Sequence, residues 1–126
     1  MNDNTTLSED DFNTKRIGDV SCDQIRSEGA AILGLFDLLS RSRALEVLAQ
    51  FADDAGPWRF NELETQLGIP PNTLTRRLKE LEEAGLLTRE IQETAPPHVE
   101  YTATTNAIEL QPVLQYLYLW ANRPQN

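Results

Sequence analysis

The chain has 126 residues, enough for one domain with a core of its own, and a formal net charge of −9 from 20 acidic and 11 basic groups. Its single cysteine, Cys22, excludes an internal disulfide and a paired-cysteine zinc site, and the sole histidine, His98, is too distant in sequence to make a metal or Cys–His pair with it expected. Acidic balance argues against a nucleic-acid partner, because neutralising phosphates supplies most non-specific affinity. The charge is uneven, however: residues 70–89 set Arg76, Arg77, Lys79 and Arg89 against Glu80, Glu82 and Glu83, the one window with a positive sum.

In chain order, residues 1–21 are polar and acidic without periodicity, and are expected to form a disordered tail ahead of one domain spanning 22–126. No basic stretch followed by an apolar run opens the chain, and nowhere do 18 apolar residues follow one another, so a soluble, cytoplasmic protein away from membranes is expected. Cys22 has two readings, an inert thiol at a domain edge or a redox sensor. From Glu28 to Asp53 the pattern is helical. Ile32, Leu35, Phe36 and Leu39 make one stripe, Ser40–Arg43 a boundary with Ser40 placed to cap, and Leu45, Leu48, Ala49, Phe51 and Ala52 a second apolar side. Asp53 to Pro57 is a loop, after which Trp58 and Phe60 read as aromatic plugs rather than a stacking platform for bases.

Phe60 to Leu87 carries the strongest signal. Phe60, Leu63 and Leu67 form the stripe of a short helix, Gly68 ends it, Ile69 fills the corner, and Pro71 fits a first helical position. Leu74, Leu78 and Leu81 give the second helix its buried side, leaving Asn72, Thr75, Arg76 and Lys79 outward with Thr73 and Arg77 on the flanks. This is the pattern of a helix-turn-helix whose second helix can enter a DNA major groove. Leu86–Glu93 and His98–Thr104, alternating around Thr94–Pro97, read as a hairpin wing. Thr105–Arg123 reads as a terminal helix with Leu110, Val113, Leu114, Leu117 and Trp120 as its stripe. Its apolar surface either serves a self-complementary interface, joined by Leu35 of the first helix, or is buried within the monomer. The fold class is mainly α with a small β-hairpin wing, an α+β winged helix-turn-helix.

At this point the chain resembles the HxlR-type branch of winged helix-turn-helix regulators, within the MarR-like superfamily. The likeness is carried by Leu35-Phe36-Asp37-Leu38-Leu39, Gly56-Pro57-Trp58-Arg59-Phe60, Glu62-Leu63, Thr73 through Glu82, Gly85-Leu86-Leu87, Pro96-Pro97, Val99-Glu100-Tyr101, Pro112-Val113-Leu114 and Trp120. The resemblance implies a homodimer on an inverted-repeat operator in double-stranded DNA, with Pro71, Asn72, Thr73, Thr75, Arg76, Arg77 and Lys79 facing DNA and Arg89 and His98 on the wing. Arg76 is the base-reading candidate, since arginine pairs bidentately with guanine, and Arg77 and Lys79 are assigned to phosphate. Cys22 falls where the family often has a cysteine, but Asp23 replaces the proline after it, and on the wing His98 replaces an arginine, Glu93 a proline. Acid-rich composition with two lysines against nine arginines further resembles that of salt-adapted archaeal proteins, in which the Debye length is about 3 Å at 1 M salt. Two functions stay open, a sequence-specific DNA-binding regulator or a winged-helix module that binds protein instead. No nucleophile–base pair, ligand cluster or phosphate-binding glycine loop points to an enzyme, a metal, a cofactor or a named effector.

Overall fold

The computed structural model describes residues 19–124. The expected acidic tail lies outside them except for Asp19–Ser21. The chain divides into two compact units at Leu39–Ser40.

In the first unit, α1 spans Cys22–Glu28 and α2 spans Ala30–Leu39. The helical pattern of the sequence begins only at Glu28, so α1 is additional to it. A capping box nucleates α1: the Gln24 N–H donates to Ser21 Oγ at 3.1 Å and the Ser21 N–H donates back to Gln24 Oε1 at 2.8 Å. Asp23 and Arg26 pair one turn apart on its surface. The expected stripe of α2 is shifted. Leu38 is the buried residue, Leu35 and Leu39 are half-buried, and Ile32 and Phe36 are exposed.

The second unit contains α3 (Ala44–Asp53), β1 (Trp58–Arg59), α4 (Phe60–Leu67), α5 (Pro71–Glu83), β2 (Leu87–Gln92), β3 (His98–Ala103) and α6 (Thr105–Ala121). Helix α3 is its centre, packing on α5, α6 and β3. It buries Ala44, Val47, Leu48 and Phe51, an i, i+3, i+4, i+7 set turned away from the expected one, so that Leu45 and Ala49 face outward. Ser40 is not its cap. The N-cap is Arg43, held at φ 68° in the left-handed region. That geometry costs an L-residue roughly 1–2 kcal/mol. It persists because the Arg43 side chain pairs with Glu46 and donates to the Leu67 carbonyl at 3.4 Å.

The sheet has three antiparallel strands in the order β1-β3-β2. The expected hairpin forms from β2 and β3, with a register running from Leu87 opposite Ala103 to Gln92 opposite His98. Strand β1 is additional, with Trp58 opposite Tyr101 and Arg59 opposite Glu100. Gly56 permits its approach: at φ 104°, a Cβ there would lie 2.8 Å from the Tyr101 carbonyl oxygen. Trp58 is half-buried and its Nε1–H donates to the Asp54 carbonyl at 2.9 Å, a structural plug. Leu87 and Ala103 anchor the hairpin in the core, while Ile91 towards the tip is 61% exposed. Thr104 ties the corner together, its hydroxyl donating to the Gly85 carbonyl at 2.7 Å and accepting the Ala107 N–H that starts α6.

Candidate nucleic-acid interface

Helices α4 and α5 form a helix-turn-helix through Gly68, Ile69 and Pro70. Gly68 closes α4 at φ 64°, with its N–H on the Glu64 carbonyl at 2.9 Å. Ile69 is buried in the corner. Pro70 is the N-cap residue of α5 and Pro71 its first helical residue, where the absent N–H leaves nothing unpaired. Leu74, Leu78 and Leu81 are buried. Pro71, Asn72, Thr75, Arg76 and Lys79 are exposed and Thr73 is half-buried, so six of the seven expected α5 residues share an accessible surface or its margin.

Arg77 is the exception, and here the expectation of a phosphate contact is corrected. Its residue is 9% exposed. Nε donates to the Ser42 carbonyl at 2.7 Å and one terminal nitrogen donates to Glu80 Oε1 at 2.9 Å. The other Glu80 oxygen takes Arg41 at 2.8 Å. Arginine stays charged and only donates, so the guanidinium is directed inward onto a carbonyl and a carboxylate instead of towards a ligand. The four-residue corner before α3 therefore holds both helices of the motif: Ser42 grips α5 through Arg77, and Arg43 reaches the end of α4 at Leu67. The side chains of Arg76 and Lys79 hold no hydrogen bond or ion pair among the described residues, and the same is true of the exposed Arg89 side chain on β2.

His98 does not project freely from the wing. Its Nε2 lies 2.9 Å from Glu100 Oε2, and its Nδ1 lies 3.2 Å from an Arg59 terminal nitrogen and 3.3 Å from Thr94 Oγ1. Both ring nitrogens are thus engaged inside the sheet, which corrects the expectation of a DNA-facing histidine. Arg59 is exposed at the end of β1, and its backbone N–H caps α4 through Glu62 Oε1 at 2.8 Å. In the sequence Arg59 belongs to the family likeness without being marked as DNA-facing, because a two-residue strand carries no readable period.

The remaining expected residues are on other elements. On α6, Val113, Leu117 and Trp120 are 51%, 44% and 56% exposed, whereas Leu110 and Leu114 are half-buried against the unit. Cys22 is exposed at the start of α1, its Sγ accepting from Arg26 at 3.3 Å. Among the described residues no helix is long and apolar enough to cross a membrane, and no cluster of three or more His, Cys, Asp or Glu side chains is placed to hold a metal.

Helices joined by a tight left-handed glycine turn, an exposed basic second helix and an antiparallel hairpin beside it define a winged helix-turn-helix. Residues 40–126 match the family model described as HxlR-like helix-turn-helix, and the chain belongs to that family. It is 45% identical over 71 residues to an uncharacterised HTH-type transcriptional regulator of Halalkalibacterium halodurans, covering 56% of this chain and 63% of that protein. The first such relatives are therefore matched over about half to two thirds of their own length. Among solved structures, the reduced form of the transcriptional regulator YodB from Bacillus subtilis superposes with a TM-score of 0.66 at 29% identity, over 84% of this chain and 99% of that one. A MarR-family regulator from Enterococcus faecalis gives 0.65 at 32% identity, over 75% and 84%. The family is one of transcriptional regulators, not of enzymes.

Proposed function

We propose that the protein is a cytoplasmic, sequence-specific DNA-binding transcription regulator that acts as a homodimer on an inverted-repeat operator. In each copy α5 enters a major groove and the wing lies along the adjoining backbone or minor groove. The observation that carries this reading is the outer face of α5: Asn72, Thr75, Arg76 and Lys79 stand exposed opposite a fully buried leucine stripe, with both cations unpaired among the described residues. Arg76 is the base reader, through guanine O6 and N7, and Asn72 and Thr75 read bases or hold phosphates. A module that bound only protein would neutralise these cations. Glu80 neutralises Arg77 but leaves Arg76 and Lys79 untouched, so the protein-only alternative is the weaker one.

Dimerisation is supported by α6, which exposes Val113, Tyr116, Leu117, Tyr118, Leu119 and Trp120 in succession on a charged, acidic chain. Large contiguous apolar patches are rare on monomers, and a two-fold axis would bury this one against its own copy. The experiment is binding of the purified protein to DNA upstream of its own gene and to random-sequence duplex, across a salt series reaching molar concentration. Selective, saturable binding is expected. Its survival at molar salt would support the salt-adapted origin read from the composition, and absence of selective binding at every salt would refute the regulator.

A further inference from the structure

We propose that Arg59 is a phosphate contact of the wing and that His98 is the residue that positions it, resting on the DNA-binding reading above. The second unit holds eight described cations, Arg41, Arg43, Arg59, Arg76, Arg77, Lys79, Arg89 and Arg123. Four are committed within the protein. Arg41 and Arg77 share Glu80, Arg43 pairs with Glu46, and Arg123 lies 3.9 Å over the Trp120 ring while donating to the Trp120 carbonyl. Of the other four, Arg76 and Lys79 on α5 and Arg89 on β2 make no side-chain hydrogen bond or ion pair among the described residues, and the side chain of Arg59 on β1 meets the His98 ring and no carboxylate. Three already belong to the recognition helix or the hairpin. The fourth joins them by way of the sheet.

The wing needs that cation. Residues 90–104 contain no lysine or arginine, and they carry Glu90, Glu93 and Glu100, with Glu90 directly opposite Glu100 in the ladder. Arg89, the hairpin's own cation, is outnumbered by these three glutamates, and a second cation beside it lowers the repulsion from phosphate. Arg59 supplies it from β1, opposite Glu100 in register. No ion pair joins Arg59 to Glu100, whose Oε2 lies 2.9 Å from His98 Nε2. An ionised carboxylate only accepts and a guanidinium only donates. Nε2 therefore carries the ring proton and Nδ1 is the bare acceptor for Arg59 at 3.2 Å, and one tautomer serves both contacts. The ring is a post between Glu100 and Arg59 that holds one end of the exposed Arg59 guanidinium at the wing.

The test measures fluorescence anisotropy of random-sequence duplex and of the upstream DNA as a function of salt, on wild type, Arg59→Gln, Arg59→Lys and His98→Ala. Each lost phosphate contact makes the slope of log affinity against log salt shallower by about 0.9, so about 1.8 for a dimer. Arg59→Gln is expected to show that loss on both duplexes with the preference between them unchanged, and Arg59→Lys to restore the slope. His98→Ala is expected to weaken binding with the wild-type slope retained. A wild-type slope in Arg59→Gln overturns the proposal, as does equal loss in Arg59→Gln and Arg59→Lys together with a lowered melting temperature, which would mark a structural role. Wild-type affinity in His98→Ala would overturn the positioning role of the histidine. Wild-type protein that binds neither duplex would instead refute the DNA-binding reading, a distinguishable failure.

Discussion

Replacing Arg77 by methionine separates a fold-building arginine from a DNA-binding one. The substitution preserves much of the volume of a side chain that is 11% exposed and removes its hydrogen bonds to the Ser42 carbonyl at 2.7 Å and to Glu80 at 2.9 Å. Hydrogen bonds to charged groups contribute about 1.5–3 kcal/mol each, and breaking a buried ion pair by removing one partner costs about 3–5 kcal/mol. Two features lower that figure here. Glu80 is 23% exposed and keeps Arg41 at 2.8 Å, so its carboxylate is not stranded. The lasting defect is the Ser42 carbonyl, and the expected loss is about 2–3 kcal/mol. Urea unfolding should report that loss as a lower midpoint with an unchanged m-value. Salt-dependent DNA binding of the folded fraction should keep the wild-type slope, because no phosphate contact has gone. An unchanged unfolding midpoint together with a shallower slope would refute the inward assignment of Arg77 and return it to the DNA-facing set.

Arg76→Ala should behave in the opposite way, leaving stability near wild type while weakening operator binding by about 1–3 kcal/mol and relaxing preference at one base pair; equal losses on operator and random DNA would reduce Arg76 to a phosphate contact. Leu117→Asp, on the exposed face of α6, should convert the dimer to monomers by light scattering, and a particle of unchanged size would exclude that helix from the interface. Gly68→Ala meets no atom within 4 Å but sits at φ 64°, so it isolates backbone strain: about 1–2 kcal/mol less stable by denaturant unfolding, with no loss meaning that the turn can rearrange. Cys22→Ser should retain operator affinity under reducing conditions, and DNA release by a thiol oxidant that persists in this variant would exclude Cys22 as a sensor.

The arrangement around Ser42 and Arg43 bears on how the recognition surface is held. Helix-turn-helix pairs need a fixed angle between their helices if the second is to present side chains to a groove. Here the angle is not left to the glycine turn. A left-handed Arg43, costly by itself, is retained while its guanidinium spans Glu46 and Leu67 and the preceding carbonyl accepts Arg77. Strain at one residue is offset by polar links to both helices.

The sequence by itself determined what rests on local rules. Helix breakers at Gly56-Pro57 and Pro70-Pro71, the left-handed turn at Gly68, the Leu74, Leu78 and Leu81 stripe and the period-2 strands around Thr94–Pro97 are each specified by residues a few positions apart. The family likeness followed from these elements in order, and the match over residues 40–126 bears it out. Even the direction of Arg77 had a local trace. Leu74, Arg77, Leu78 and Leu81 are spaced i, i+3, i+4, i+7, so the arginine occupies a stripe position that its charge disguised. Tertiary structure decided the rest. Arg77 is placed by a carbonyl 35 residues earlier and Arg59 by a ring 39 residues later, and no period within a helix or strand encodes such a partner. Strand β1 exists because β3 offers it a ladder, and α3 turns Val47 inward and Leu45 outward because α5, α6 and β3 surround one side of it. Local chemistry sets which segments are helices and strands, but which side chains remain free for DNA depends on contacts made only after the chain has closed on itself.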